Sequence, residues 1–196
     1  MKFPTAMAFL VASLTACGFA RADSTAAPAA ASELRNPFDQ GTWNFSLTGS
    51  YVTPIRFSDD KLTNLSIAGG YYFWDNHAVN VELQGYYDDR PDGAERALIG
   101  GVGLLFRSHL LTRDRWSVFV DGGGSVTYAD HEVPQFGTNF NFIGKVGLGA
   151  SFQLEERTFL MAGARYFHLS NGQIRGRDDN PSYDGVQFWG GVMWTW

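Results

Sequence analysis

Three residue types close to the C-terminus of the sequence could together perform hydrolysis. His168 and Ser170 are two positions apart in an alternating run, so on a β-strand both side chains point to the same face. Asp184 opens the next alternating run. A hydroxyl nucleophile, an imidazole base and a carboxylate that orients the imidazole are the groups that nucleophilic hydrolysis uses. We therefore predict that His168, Ser170 and Asp184 form a hydrolytic site.

The segment that would hold these residues alternates between apolar and polar side chains from residue 42 to the end. In the first run, Trp43, Phe45 and Leu47 alternate with small polar residues, which is the period of a half-buried β-strand. Eight such runs occur, at residues 43–51, 65–73, 79–87, 96–106, 116–128, 139–152, 159–170 and 186–196. We predict an all-β chain of eight strands.

A transmembrane barrel explains this pattern better than a soluble β-sandwich. Most runs are about ten residues long, which suits tilted membrane-spanning strands, and the chain stops on the aromatic Trp194-Thr195-Trp196. The connections are alternately long (52–64, 88–95, 129–138, 171–183) and short (74–76, 155–157), with an intermediate one at 107–115. We predict an eight-stranded antiparallel transmembrane β-barrel with long loops outside and both termini in the periplasm.

The polar face of each strand should point into this narrow barrel, because side chains fill the interior of small barrels. Four charged residues fall on inward positions, namely Glu82, Asp121, Lys145 and Arg165. We expect them to pair, since an unpaired charge in the interior would be costly. With Arg165 inward, His168, Ser170 and Asp184 point toward lipid near the outer-leaflet boundary.

The N-terminus has the features of an export signal. Lys2 precedes an apolar run at residues 6–16, and Ala20-Arg21-Ala22 fits a small-x-small cleavage site. We predict a signal peptide at residues 1–22, a flexible periplasmic segment at 23–40 and the barrel at 41–196. An alternative is a lipoprotein signal, in which Cys17 of Leu14-Thr15-Ala16-Cys17 is the lipidated residue. No later apolar run approaches the ~20 residues that a membrane helix needs.

Composition and charge argue against several other functions. The net charge of −5, without a basic stripe, argues against a nucleic-acid partner. The single cysteine, Cys17, lies in the apolar leader, so the mature chain can form no internal disulfide. His77, His109 and His131 are scattered without the spacing of metal ligands. We expect no metal and no cofactor.

The sequence around the candidate site resembles the lipid A 3-O-deacylase (PagL) family. The similarity lies in Phe167-His168-Leu169-Ser170-Asn171-Gly172, in Asn180-Pro181-Ser182-Tyr183-Asp184 and in the aromatic final strand. The resemblance implies an eight-stranded barrel in the outer membrane of a Gram-negative bacterium. It also implies hydrolysis of the ester-linked acyl chain at position 3 of lipid A, with lipopolysaccharide as the substrate.

The resemblance also implies a role for each residue of the candidate site. His168 matches the catalytic base of the family and Ser170 matches its nucleophile. Asp184 stands where the family commonly has a glutamate, so the third member is shorter here by about one methylene. Strand spacing must compensate for this shorter reach if the carboxylate is to orient His168.

The loop between the last two strands holds the other candidate site residues. Asn180 matches an oxyanion donor proposed for the family, and Asn171 and the backbone amide of Gly172 are alternatives. Arg175 and Arg177 lie in the same loop and could contact the phosphates of lipid A, although loop arginines also serve solubility.

Two other functions fit the same barrel. One is a non-enzymatic outer-membrane barrel of the OmpA or OmpX kind, with a structural or adhesive role. The other is an acyltransferase or phospholipase that acts on outer-leaflet lipids. A homodimer is a further possibility, because a second copy could cover an outward groove.

Overall fold

Residues 36–55, 61–90, 95–176 and 180–196 are described by a computed structural model of the chain. They form a closed antiparallel barrel in which each strand pairs with its neighbours in sequence and the first strand pairs with the eighth. The strands are β1 (Trp43–Pro54), β2 (Lys61–Trp74), β3 (His77–Asp89), β4 (Ala97–Arg113), β5 (Trp116–Val133), β6 (Thr138–Glu155), β7 (Thr158–Ser170) and β8 (Tyr183–Thr195). The predicted fold is confirmed, strand for strand.

The connections alternate more regularly than the sequence indicated. The prediction of a connecting segment at residues 107–115 was wrong, because β4 continues to Arg113 and leaves a two-residue turn. A register shift between His109 and Leu111 interrupts the alternation there, and both Leu110 and Leu111 are exposed. The segment predicted at 129–138 is also shorter, since β5 reaches Val133. All three short turns now lie at the same end of the barrel.

The two faces of the strands follow the predicted division. Large apolar side chains such as Leu65, Val81 and Leu148 are exposed on the outer wall, where a membrane barrel meets lipid. Polar and charged side chains such as Gln84 and Asn141 are buried in the interior. Among the described residues, no helix is long and apolar enough to cross a membrane.

The predicted interior charges do pair. Lys145 donates to Glu82 at 2.7 Å, and Arg165 donates to both carboxylate oxygens of Asp121 at 2.7 Å. Arg107, which the sequence analysis placed in a connection, also donates to Asp121 at 3.0 Å. This charged layer lies between two buried apolar clusters, one toward the loops and one toward the turns. The interior is therefore filled by side chains rather than left as a wide channel.

Residues just before β1 pack against the turn end of the barrel. Phe38 is buried, stacks on His109 with ring centroids 3.8 Å apart, and lies 5.3 Å from the ring of Phe159. Residues 36–40 belong to the segment that was expected to be flexible, yet this contact holds them against the barrel. The rest of that segment and the predicted signal peptide at 1–22 lie outside the described residues.

Candidate active site

Strands β7 and β8 place the candidate site on the outer wall at the loop end of the barrel. His168 and Asp184 are directly paired across these strands. Phe167 and Leu169 point into the barrel and are fully buried in the apolar cluster on the loop side. Because successive side chains of a strand alternate between faces, these inward anchors fix His168 and Ser170 on the outward face.

The three predicted residues form a continuous hydrogen-bonded chain. His168 Nδ1 lies 2.8 Å from Asp184 Oδ1, and His168 Nε2 lies 3.0 Å from Ser170 Oγ. The side chain of His168 is 40% exposed and that of Asp184 is 23% exposed, whereas Ser170 is 6% exposed. The arrangement suits an imidazole that donates from Nδ1 to the carboxylate and accepts the serine proton at Nε2. The geometry is that of a hydrolytic triad, while the catalytic roles stay a prediction.

Tyr166 is a fourth member of the hydrogen-bonded chain, and the sequence analysis did not assign it a role. Its hydroxyl donates to Asp184 Oδ1, the same oxygen that faces His168 Nδ1. Tyr166 precedes His168 by two residues, so strand parity already placed the phenol on the same face. What parity could not show is that the hydroxyl reaches the carboxylate on the neighbouring strand.

Space beside the imidazole is left open on the β6 side. Gly144 pairs directly with His168, and a β-carbon added at Gly144 would meet nothing within 4 Å. On the next outward position of β6 toward the loops, Phe142 pairs with Ser170. A substrate can therefore approach His168 over Gly144, where no side chain stands in the way.

The loop after β7 turns back sharply over the outer wall. Asn171 is buried, its backbone N–H donates to Asn180 Oδ1 at 3.0 Å, and its own Oδ1 accepts from Gln173 N at 2.9 Å. Gly172 adopts a φ of +64°, a left-handed conformation that glycine adopts without strain. Asn171 and Gly172 follow Ser170 directly in the chain, and Asn180 is hydrogen-bonded to Asn171. The three residues predicted as oxyanion donors therefore lie close together.

The sequence from residue 41 to residue 192 matches the model of the family described as lipid A 3-O-deacylase (PagL). The chain belongs to this family. The resemblance to this family is thereby confirmed, and the match extends beyond the last two strands to residues 41–192. PagL membership supports a lipid A deacylase in general, with lipid A or lipopolysaccharide as substrate.

Two outer-membrane barrels of known structure share the fold of this PagL-family chain. OprG from Pseudomonas aeruginosa is 14% identical, with 81% of this chain and 97% of OprG covered and a TM-score of 0.54. Neisserial surface protein A is 15% identical, with 78% and 95% covered and a TM-score of 0.58. No curated protein sequence matches the chain. Fold and PagL membership together assign the protein to the outer membrane of Gram-negative bacteria.

Of the two arginines predicted to contact phosphate, the structure describes one. Arg175 is exposed in the loop after β7, whereas Arg177 lies outside the described residues. Within the described ranges, no group of three or more His, Cys, Asp or Glu side chains could hold a metal ion. Of the two arginines, Arg175 is the one whose position the structure describes.

Proposed function

We propose that the protein is a lipid A 3-O-deacylase that works as a serine esterase in the outer leaflet. The observation that carries this proposal is the hydrogen-bonded chain Ser170–His168–Asp184 on the outward face of the barrel. PagL membership supplies the substrate class, and the triad supplies a means of cleaving an ester. With the loops outside the cell, an outward site at the loop end would lie level with the esters that join acyl chains to the sugars of lipid A.

The reaction follows from the two hydrogen bonds of His168. Ser170 Oγ attacks the ester carbonyl carbon while its proton passes to His168 Nε2. The bond between the carbonyl carbon and the sugar oxygen then breaks, and that oxygen takes the proton from His168. Water, deprotonated by the same imidazole, attacks the acyl group on Ser170 and releases a fatty acid. Serine and imidazole are regenerated at the end of the cycle.

Asp184 and Tyr166 hold the imidazole in the productive orientation. The carboxylate accepts from Nδ1, which fixes the tautomer with a lone pair on Nε2 and stabilises the imidazolium that forms. The hydroxyl of Tyr166 donates to the same carboxylate and restrains its position. In this protein the phenol thus supports an acid that is one methylene shorter than the glutamate that the family resemblance implies at this position.

The loop after β7 supplies the donors for the negative charge on the ester oxygen. Asn180 Oδ1 is held by the backbone N–H of Asn171, so this side chain can offer its Nδ2 hydrogens to an oxyanion. The N–H of Gly172 makes no hydrogen bond within the described ranges and is a second donor. One such donor is commonly worth about 3 kcal/mol in the transition state.

Mass spectrometry of lipid A from cells that express the protein tests this proposal. Wild type should remove one ester-linked acyl chain at position 3, and Ser170→Ala should leave lipid A unchanged while the barrel still folds. Ser108→Ala is the matched control, because Ser108 Oγ lies 2.9 Å from His77 Nδ1 without a carboxylate bound to that ring within the described residues. This variant should retain full activity.

Other mass changes would contradict the proposal. Unchanged lipid A with a folded wild-type barrel would favour a structural or adhesive role. A gained acyl chain would favour an acyltransferase, and hydrolysed phospholipid with intact lipid A would favour a phospholipase. Loss of a chain that persists in Ser170→Ala would exclude the serine mechanism.

A further inference from the structure

A cavity of about 320 Å³ lies beside the proposed site on its loop side. It is lined by Tyr128, Thr138, Asn139, Phe140, Asn171, Ile174 and Arg175. Asn171 follows the proposed nucleophile directly in the chain. Phe140 is the outward residue of β6 one step nearer the loops than Phe142, the partner of Ser170. The cavity therefore begins next to Ser170 and lies away from the membrane core.

The walls of the cavity combine aromatic rings, amides and one positive charge. Tyr128 and Phe140 pair across β5 and β6 and are both exposed on the outer wall. Asn139 contributes an amide to the lining, and its Nδ2 donates to Ala129 O at 3.0 Å, which leaves its side-chain oxygen as an acceptor. Arg175 has no acidic partner among the residues that the structure describes. A binding site for a neutral acyl chain would not need this arginine.

The position of the scissile ester determines which part of the substrate reaches this cavity. The ester joins an apolar chain to a polar sugar, so with its carbonyl at Ser170 the two parts must leave in opposite directions. The apolar chain runs along the outer wall toward the membrane core. The sugar must then lie toward the loops, where the cavity begins at Asn171.

We propose that this cavity binds the phosphorylated sugar of lipid A, with Arg175 on a phosphate group. The guanidinium offers paired N–H donors that match phosphate oxygens. The rings of Tyr128 and Phe140 pack against the apolar face of the sugar, and Asn139 accepts from a sugar hydroxyl. This inference rests on the proposed function, because the deacylation at Ser170 defines where the sugar lies.

Binding of lipid A to purified Ser170→Ala protein in detergent micelles tests the cavity without turnover. The ligands are lipid A that carries its phosphates and the same lipid A after phosphatase treatment. Adding Arg175→Gln should weaken binding of the phosphorylated form by about tenfold and leave the dephosphorylated form unchanged. Phe140→Ala should weaken both forms, because it removes contact with the sugar itself.

Arg96→Gln is the matched control for charge at the same end of the barrel. Arg96 lies just before β4, 3.4 Å from Asp89, and does not line the cavity. It should not change the affinity for either ligand. Equal losses in Arg175→Gln and Arg96→Gln, or a loss in Arg175→Gln that is the same for both ligands, would overturn the assignment.

The two proposals fail in different ways. If wild type shows no hydrolysis that depends on Ser170, the esterase is wrong, and the binding assay still reports whether Arg175 selects phosphate. If hydrolysis depends on Ser170 but binding ignores both Arg175 and the phosphates, the esterase stands and the headgroup site is wrong. Inorganic phosphate alone should compete only weakly, because it cannot occupy the aromatic wall.

Discussion

One carboxylate oxygen of Asp184 faces both the imidazole of His168 and the hydroxyl of Tyr166. An aspartate reaches less far than a glutamate, so its surroundings must bring the carboxylate close to the imidazole. Direct cross-strand pairing of His168 with Asp184 provides the closeness, and Tyr166 provides a second anchor. At this scale the sequence predicted which residues share a face, because parity follows from spacing. It could not predict which atoms meet across strands.

Replacing Tyr166 by Phe should lower kcat by about tenfold, since a hydrogen bond to a charged group is commonly worth about 1.5–3 kcal/mol. The reason is that the carboxylate loses the hydrogen bond from the phenol while the aromatic ring stays in place. Lipid A hydrolysis by purified protein gives kcat and KM separately, and KM should change little. Tyr51→Phe on β1 is the control, because Tyr51 is also outward and exposed.

A double-mutant cycle separates positioning from a general effect of the phenol. In an Asp184→Asn background the hydroxyl no longer has a carboxylate to hold, so Tyr166→Phe should cost little more. If the two losses simply multiply, Tyr166 does not act through Asp184.

Two elements, β6 and β7, set the access to the site. Gly144 and His168 are paired, and the absence of a side chain at Gly144 keeps one flank of the imidazole open. The sequence located β6 and β7 to within a few residues, because apolar alternation is strong there. It misjudged β4, where the bulge at His109 to Leu111 breaks the alternation that reveals a strand. The glycine at 144 had no distinguishing signal, because many glycines occur in these strands.

Gly144→Leu should lower the rate of lipid A deacylation by at least about tenfold while the barrel stays folded. Directly opposed side chains on paired strands lie ~5 Å apart at their β-carbons, so the leucine would reach the imidazole and occupy the approach. Gly69→Leu is the matched control. A β-carbon at Gly69 also meets nothing within 4 Å, but Gly69 lies on β2, away from the site.

The assay is lipid A hydrolysis by each variant, with folding checked by the shift in gel mobility on heating. Equal activities for Gly144→Leu and Gly69→Leu would mean that substrate does not approach His168 over β6.

At the scale of the whole molecule, ion pairs in the interior help to stabilise the barrel that carries the site. Alternation predicted that Glu82, Asp121, Lys145 and Arg165 face inward, and mutual pairing followed from the cost of burying a lone charge. Arg107 was missed because its segment was taken as a connection. The closure of the turn end by Phe38 was missed as well, because a single aromatic residue before the first strand carries no periodic signal.

A homodimer stays a prediction.

Glu82→Gln should destabilise the barrel by about 3 kcal/mol or more, because it removes the carboxylate that is hydrogen-bonded to the buried ammonium of Lys145. Heat-induced unfolding in detergent, followed by gel mobility, measures the change. The double variant Glu82→Gln with Lys145→Met should recover most of the loss, since the ammonium that lost its partner is then removed as well. Activity at low temperature should be kept in both, because neither residue faces the outer wall. A single variant as stable as wild type would contradict the pairing.

The central claim is that Ser170 is a nucleophile activated by His168 on the outward face of the barrel. Peptide mass spectrometry of protein treated with a long-chain fluorophosphonate, which reacts with activated serines, tests it most directly. We predict a single phosphonyl adduct on Ser170 in wild type and in Ser108→Ala, and none in Ser170→Ala or His168→Ala. Wild-type protein that deacylates lipid A while Ser170 stays unlabelled, or labelling that persists in His168→Ala, would contradict the claim.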